Sequence, residues 1–417
     1  VRLSGPQALY ILKKITGLDY IQPRVAQLTH WHDGDNDILD EGLALFFPAP
    51  HSYTGEDVVE LQGHGSPVLL RALLQRLYQL GCKAAEPGEF TRRAVENGQI
   101  DLSQAEAVAS CIDASTVRAG KQALRQLQGA FGQHIEQMMQ NLTSLVAQVE
   151  ASLDFPEEDI PALHFEQISK KMDQTVIEPI EQLLQTADFG ERLFDGAVVA
   201  IIGSPNVGKS SLLNALAGHE RAIVSHIPGT TRDVLEIDFE VHGIPVRLAD
   251  TAGLRSSDDL IEQEGVRRAQ AAASHADAII FVADATRPDT WVSTIDANLH
   301  IMNKTDMVDS TFPPHFIPAS MKQGEGLDVL MDSLAHQLGE IHLADEGLLV
   351  TCERHRSILL ESLSHLRAGM STIHYLDQLE LTAMEWRSAW GLLGSIIGIG
   401  DIEYILDRVF AEFCIGK

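Results

Sequence analysis

Gly203, Gly208, Lys209 and Ser210 meet the pattern GxxxxGK[ST] within AVVAIIGSPNVGKSSLLNALAG, and each residue type has a physical task around a polyphosphate. The two glycines lack a Cβ, so the backbone can turn tightly and aim several N–H groups at one anion. Lys209 brings a cation to the outer phosphates. Ser210 offers a hydroxyl to Mg²⁺ at the start of a helix whose dipole also favours negative charge. Val207 and Ser211 complete the phosphate-contacting set. Asn206, inside the loop, is either a turn former or, through its side-chain carbonyl, a ligand for a hard monovalent cation.

The motifs that follow extend this chemistry. In VSHIPGTTRDV, a threonine, Thr230 or Thr231, can sense a γ-phosphate and complete Mg²⁺ coordination, with Ser225, His226, Ile227, Pro228 and Gly229 forming the loop that carries it. LADTAG ends a strand with Asp250, a carboxylate for Mg²⁺, followed by Thr251, Ala252 and Gly253, whose N–H can meet the γ-phosphate. Asn303, Lys304 and Asp306 stand at the end of another strand, HIMNKTD. A carboxylate there accepts two hydrogen bonds from the N1–H and 2-amino edge of guanine, a donor pair that adenine lacks, so the motif selects GTP. Ser320, Met321 and Lys322 form a base-contacting turn in PASMKQGEG, with Met321 where alanine is usual. Leu254, directly after DTAG, cannot orient an attacking water. The acids of SSDDLIEQEG, Asp258, Asp259, Glu262 and Glu264, are the candidates for that task.

These residues need a scaffold. At 417 residues the length suggests about three domains. Residues 1–98 mix short strand-like and helix-like segments, the pattern of an α/β domain; within them GEDVVELQGHG places Glu56, Asp57, Glu60 and His64 in a solvated turn. No proline occurs between Pro87 and Pro156, and Leu124, Leu127, Phe131, Ile135, Met138, Leu142, Leu145 and Val149 recur at helical spacing as one apolar stripe on one long helix. A second helix runs through FEQISKKMDQTVIEPIEQLLQTA, with Ile168, Met172, Ile180 and Leu183 on its inner face. Partners for both come only after residue 347. The expectation is a helical domain split into 99–192 and 342–417, with a Ras-like P-loop domain of mixed sheet and flanking helices inserted at 193–341. Gly190 and Gly196 bracket one junction, and both ends of the insert lie close together.

Composition narrows the class. A formal charge of −28 repels nucleic acid at long range, so an RNA substrate must be held largely by another molecule. Cys82, Cys111, Cys352 and Cys414 have neither metal nor CxxC spacing. No apolar run approaches the roughly 18 residues of a membrane span, and the start lacks a signal-peptide layout. A cytoplasmic protein without a membrane partner is expected, with a short lead-in missing before Val1.

YTGEDVVELQGHG, PGEFTRRA, DLSQAEAVASCIDAST, LDFPEEDI, GTTRD, DTAGLR and the terminal FCIGK together resemble one family, the bacterial MnmE (TrmE) tRNA-modification GTPases, over essentially the whole chain. The resemblance implies an N-terminal domain that binds 5-formyl- or methylene-tetrahydrofolate and forms a homodimer. It implies a discontinuous helical domain ending in Cys-Ile-Gly-Lys, and an inserted G domain. It further implies an FAD-dependent MnmG-type partner in a heterotetramer or larger complex that holds much of the tRNA, and K⁺-activated hydrolysis through pairing of G domains. The product is an aminomethyl or carboxymethylaminomethyl group on the wobble uridine. Carried onto this sequence, K⁺ falls on Asn206, Ser225, Ile227 and Thr230, and Mg²⁺ on Ser210 and Thr231. Catalytic roles fall on Glu262, Asn206 and Lys209. Folate contacts fall on Arg2, Glu60, Lys417 and Gln99, the last where lysine is usual. Two rival readings are an Era-like RNA-binding or ribosome-assembly GTPase, which should carry a basic module absent here, and a folate-binding scaffold with a degenerate GTPase, against which Lys209, Asp250 and Asp306 argue.

Overall fold

The computed structural model describes residues 1–154, 162–218, 238–249, 273–293, 295–339, 347–400, 406, 409 and 410. Its contacts define two compact units, one of Val1–Ala109, Leu127–Ile135 and Gly394–Lys417, the other of Ser110–Gln126 and Glu136–Leu393.

In the first unit, strands β1 (Arg2–Ser4), β2 (Gln27–His32), β3 (Ile38–Phe47) and β4 (Val58–Gln62) form an antiparallel sheet in the order β1-β4-β3-β2. On β4 the buried Val59 and Leu61 alternate with the half-buried Glu60 and the exposed Gln62, as on a sheet with one covered face, while Val58 at the strand's start is buried as well. Helices α1 (Ala8–Thr16) and α2 (Pro67–Gln79) supply the cover, packing Ile11, Leu12, Ile15, Leu73 and Leu77 with Trp31, Phe46 and Leu61. Each such aliphatic side chain contributes about 1.5–3 kcal/mol on burial. A third helix, α3 (Glu89–Glu96), follows, so the unit is α/β in content with antiparallel strands.

The helical region begins with α4 (Leu102–Asp113) and α5 (Val117–Leu127) and continues with α6 (Ala130–Asp154). One long helix was expected from Leu124 onward; the chain instead breaks between Leu127 and Ala130. Gly129 sits at φ +88°, and the Leu127 carbonyl, freed from the helix ladder, accepts from Gln104 Nε2 at 2.8 Å. The stripe from Phe131 to Val149 is buried as expected, whereas Leu124 is exposed.

The second expected helix is also interrupted. Helix α7 (Ala162–Met172) passes through a π-helical turn, Asp173–Ile177, into α8 (Glu178–Leu184). Pro179 has no N–H for the Thr175 carbonyl, and its ring would clash with that carbonyl in regular helix. The π turn absorbs the clash, and Asn141 Nδ2 donates to the freed carbonyl at 3.4 Å. Ile168, Met172, Ile180 and Leu183 are all buried.

Helix α9 (Ala187–Asp195) leads to the nucleotide domain. Gly190 lies inside this helix rather than in a linker, because a Cβ there would stand 2.0 Å from the Val350 carbonyl oxygen; only glycine permits the returning chain to cross so closely. The ends of the insert do meet, through Arg192. Its Nε donates to Asp277 Oδ1 at 2.9 Å and its Nη1 to the Leu338 carbonyl at 3.2 Å, while Asp277 Oδ2 accepts from the Val198 N–H at 2.8 Å.

Among the described residues, the insert holds a six-stranded mixed sheet of β5 (Ala197–Ile202), β6 (Asp238–Val241), β7 (Ile244–Leu248), β8 (Ala278–Asp284), β9 (Leu299–Asn303) and β10 (Phe316–Pro318). Its order is β10-β9-β8-β5-β7-β6, with only the β6–β7 pair antiparallel. β5 and β8 read as near-continuous apolar runs because both sheet faces are covered: α10 (Lys209–Gly218) and α11 (Leu327–Gln337) pack on the face of Val199, Ile280 and Val282, and Trp291 and Phe312 lie against that of Ile202, Phe281 and Ala283. The chain goes from β5 to β7 on one side and then to β8 on the other. The carboxyl end of β5 is therefore a topological switch point, where open α/β sheets bind ligands.

Beyond the insert, α12 (Glu353–Thr372) and α13 (Leu379–Ile397) complete the helical region. Trp386 Nε1 donates to the Leu366 carbonyl, and Gly369 leaves room for that indole. Arg367 pairs with Glu181 at 2.5 Å and Arg387 with Glu150, so the late helices pack on the early ones. The helical domain is discontinuous, as expected. Among the described residues, no helix is long and apolar enough to cross a membrane.

Candidate functional site

The phosphate loop joins β5 to α10 at the switch point. Two of its glycines are required by close approach: a Cβ on Gly203 would lie 2.3 Å from the Val282 carbonyl oxygen, and one on Gly208 would lie 2.1 Å from Asn303 Nδ2. Their φ values, +147° and +103°, are also in the region that side chains disfavour. Lys209 Nζ donates to the carbonyls of Gly203 and Ser204, both at 2.8 Å, which folds the ammonium over the loop. Burial lowers the Lys209 ammonium below its ordinary range. Ser210 is exposed in the first turn of α10, and Asn206 is exposed at φ +65°.

The motifs expected to bind the base converge on this loop. Asn303, at the carboxyl end of β9, is buried and bridges two segments: its Nδ2 donates to the Val207 carbonyl at 2.9 Å, and its Oδ1 accepts from the Met321 N–H at 3.1 Å. The unusual Met321 is accommodated because the turn uses its backbone, while its side chain is buried. The Ser320 hydroxyl is fully buried and has no hydrogen-bond partner among the described residues. Asp306 and Lys322 stand exposed beside it. A glycine cradle, an orphaned buried hydroxyl and an exposed carboxylate are donor and acceptor types that fit a guanine nucleotide.

Lys304 has a second bond set that the sequence pattern does not show. Its Nζ donates to Asp284 Oδ2 at 2.5 Å and to the Asn206 carbonyl at 2.9 Å. Asp284 is 1% exposed and also accepts from the Thr286 N–H and hydroxyl. Burial works to raise its carboxyl, but the Lys304 ammonium and the Thr286 bonds overcome that and hold it below the usual carboxylate range. The available signal was a lone carboxylate closing the apolar run AIIFVAD.

Several expected site residues lie outside the described residues: Ser225, His226, Ile227, Pro228, Gly229, Thr230 and Thr231 of the switch segment; Asp250, Thr251, Ala252 and Gly253; Glu262; and Lys417. Of the expected cation ligands, Ser210 and Asn206 are the described ones, and both are exposed at the loop surface.

Of the expected folate contacts, Arg2 and Glu60 come together. They are cross-strand partners on β1 and β4, with Arg2 Nε and Nη2 donating to Glu60 Oε1 at 3.0 and 2.9 Å. Both line a cavity of about 1640 Å³ with Glu56, Phe90, Arg93 and Lys83. Arg2 also lies over the Tyr53 and Phe90 rings, at 5.4 and 5.6 Å. Gln99 is not among the residues lining this cavity; it is exposed and its amide lies near Gly55. Arg93, within PGEFTRRA, donates to Glu56 at 2.9 Å and to Glu89. Burial acts against its charge, yet these two carboxylates raise it above the ordinary arginine range. Apolar rings, guanidinium groups and carboxylates around one cavity fit a pterin with its acidic tail.

Known proteins complete the comparison. A family model described as the GTP-binding protein TrmE N-terminus matches residues 1–99, and one described as the MnmE helical domain matches residues 102–414. The tRNA modification GTPase MnmE of Xylella fastidiosa (strain Temecula1) is 43% identical over 430 residues, covering 100% of this chain and 94% of the relative. That of Parvibaculum lavamentivorans is 44% identical, with 100% and 96% covered. Among solved structures, the FeoB G-domain from Methanococcus jannaschii is 24% identical and covers 34% of this chain and 97% of its own, with a TM-score of 0.26. With family models matching on both sides of residue 100 and relatives aligned from end to end, the chain belongs to the MnmE family of tRNA modification GTPases.

Proposed function

We propose that this chain hydrolyses GTP to drive modification of tRNA at the wobble uridine, together with an FAD-dependent partner of the MnmG type. The observation that carries the reading is Asn303, whose one buried amide joins the phosphate loop to the base-binding turn in a chain that aligns with its family along its whole length. In this reading Asp306 and Ser320 recognise guanine, and Lys209 with the loop N–H groups holds the β- and γ-phosphates. Ser210 and Thr231 would hold Mg²⁺, and Asn206, Ser225, Ile227 and Thr230 would hold K⁺, cations that offset the charge developing on the phosphate oxygens. Leu254 cannot position water, so Glu262 takes that role. Closure of 225–230 orders a surface on which a second G domain packs.

The cavity holding Arg2 and Glu60 is the site we assign to a reduced folate, the one-carbon donor, with Lys417 as a further contact. The domain limits belong to the same reading: 1–98 for folate binding and dimerisation, 99–192 and 342–417 for the helical domain, and 193–341 for the G domain. A charge of −28 leaves tRNA binding largely to the partner. The test is nucleoside analysis of tRNA from cells lacking this protein. The 5-substituted wobble uridine should disappear; an unchanged nucleoside profile would overturn the proposal. GTP turnover in K⁺ against Na⁺ at equal ionic strength separates the cation assignment from the rest, since equal rates would remove K⁺.

A further inference from the structure

Asp284 lies at the carboxyl end of β8, outside the sequence motifs of nucleotide binding, yet it is the most buried carboxylate of the nucleotide domain among the described residues, at 1% exposure. Its placement is fixed from several sides. Thr286 donates to Oδ1 through its N–H at 2.9 Å and its hydroxyl at 2.7 Å. The Asp284 N–H donates to Thr290 Oγ1, and its carbonyl accepts from Trp291 Nε1 at 2.8 Å. The remaining oxygen, Oδ2, meets Lys304 Nζ, which in turn donates to the Asn206 carbonyl.

This relay joins two strained residues. Asn206 at φ +65° and Lys304 at φ +64° are two of five non-glycine residues with positive φ among those described, and the Lys304 side chain bonds directly to the Asn206 backbone. Such conformations persist where the surroundings over-determine them, and they gather at functional sites. A lysine on a flexible stem would ordinarily leave a surface carbonyl for water. A buried counter-ion fixed by two hydrogen bonds keeps it in place.

We propose that Asp284 is a positioning residue for nucleotide binding: it anchors Lys304 so that the base-recognition motif and the phosphate loop are held in one geometry. The inference rests on the GTPase reading and names a residue that reading does not contain. Without the anchor, Lys304 swings to solvent, the Asn206 carbonyl loses its donor, and the loop relaxes away from the geometry that receives phosphate.

The test measures dissociation constants of a fluorescent GDP for the full chain carrying Asp284→Asn, Asp284→Glu, Lys304→Met and the Asp284→Asn/Lys304→Met double substitution. Asp284→Asn should weaken binding about ten- to a hundredfold, the range of a charged hydrogen bond. Asp284→Glu should recover part of the loss. Because Asp284 acts through Lys304, the double variant should bind no more weakly than Lys304→Met alone, an outcome that general loosening of the fold would not produce. Asp289→Asn, in the exposed pair with Arg287, should leave binding unchanged. Asp284→Asn binding GDP like the wild type, or a double variant whose loss is the product of the two single losses, overturns the proposal. Where Asp284→Asn fails to fold, Thr286→Val loosens the carboxylate without removing it. It should weaken binding about threefold in the wild-type background and not at all beside Lys304→Met; equal losses in both backgrounds overturn the proposal. A wild-type chain that binds no guanine nucleotide would instead refute the GTPase reading itself.

Discussion

Gly208→Ala asks whether the phosphate loop and the base-binding turn are mechanically one site. At φ +103° an alanine must adopt backbone that L residues rarely occupy, at a cost of about 1–3 kcal/mol. Its Cβ would stand 2.1 Å from Asn303 Nδ2, so the amide has to move and release both the Val207 carbonyl and the Met321 N–H. Each buried polar group left unsatisfied costs about 1–3 kcal/mol. The lower bound of the sum is about 3 kcal/mol, roughly two decades in an equilibrium constant. The loss should fall on GDP affinity, measured by titration calorimetry, and on resistance of the nucleotide domain to urea. Gly324→Ala is the control: at φ +77° with nothing within 4 Å of its Cβ, it carries only the conformational cost of about 1–2 kcal/mol. It should leave GDP affinity unchanged. Gly208→Ala binding GDP within about threefold of wild type, or weakening no more than Gly324→Ala, would refute the reasoning.

Gly190→Ala should destabilise the chain by ~1–3 kcal/mol in urea unfolding, because its Cβ would meet the Val350 carbonyl at 2.0 Å and neither backbone can yield cheaply. Burial lowers the His134 imidazole from its ordinary 6.5, so below pH 6.5 the unfolded chain binds more protons than the folded one. Stability should therefore fall as pH drops from 6.5 through the lower folded value, and His134→Gln should remove that part of the slope between unfolding curves at pH 7.5 and 5.5. Glu262→Ala should keep GTP affinity while cutting turnover by about 10² or more, read by phosphate release; normal turnover would reassign the water-orienting role within Asp258, Asp259 and Glu264. Deleting the last residues through Lys417 should weaken 5-formyltetrahydrofolate binding in calorimetry without changing GTP affinity, and an unchanged folate titration would remove Lys417 from that site.

The residues by themselves determined the chemistry of the phosphate loop, the preference for guanine and the all-helical character of the flanks. Glycine at fixed spacing, a carboxylate after Asn303–Lys304 and an apolar period of three to four are local consequences of stereochemistry and charge. The split of the helical domain was also legible, because Phe131 to Val149 forms an apolar stripe that needs a partner the nearby sequence does not supply. Tertiary structure decided what depends on a distant neighbour. Gly190 reads as a linker until the Val350 carbonyl crosses over it, and the helix read straight through Pro179 is interrupted by a π turn whose freed carbonyl Asn141 meets. Gln99 sits just past the end of α3, where its N–H donates to the Ala94 carbonyl at 2.8 Å and its side chain lies near Gly55, a placement that no local pattern specifies. Asp284 is the clearest case: in sequence it merely closes an apolar strand, and its role arises because the parallel pairing of β8 with β9 sets Asp284 beside Asn303 in register. That register brings a buried carboxylate within reach of the next residue, Lys304, and nothing local to either residue encodes it.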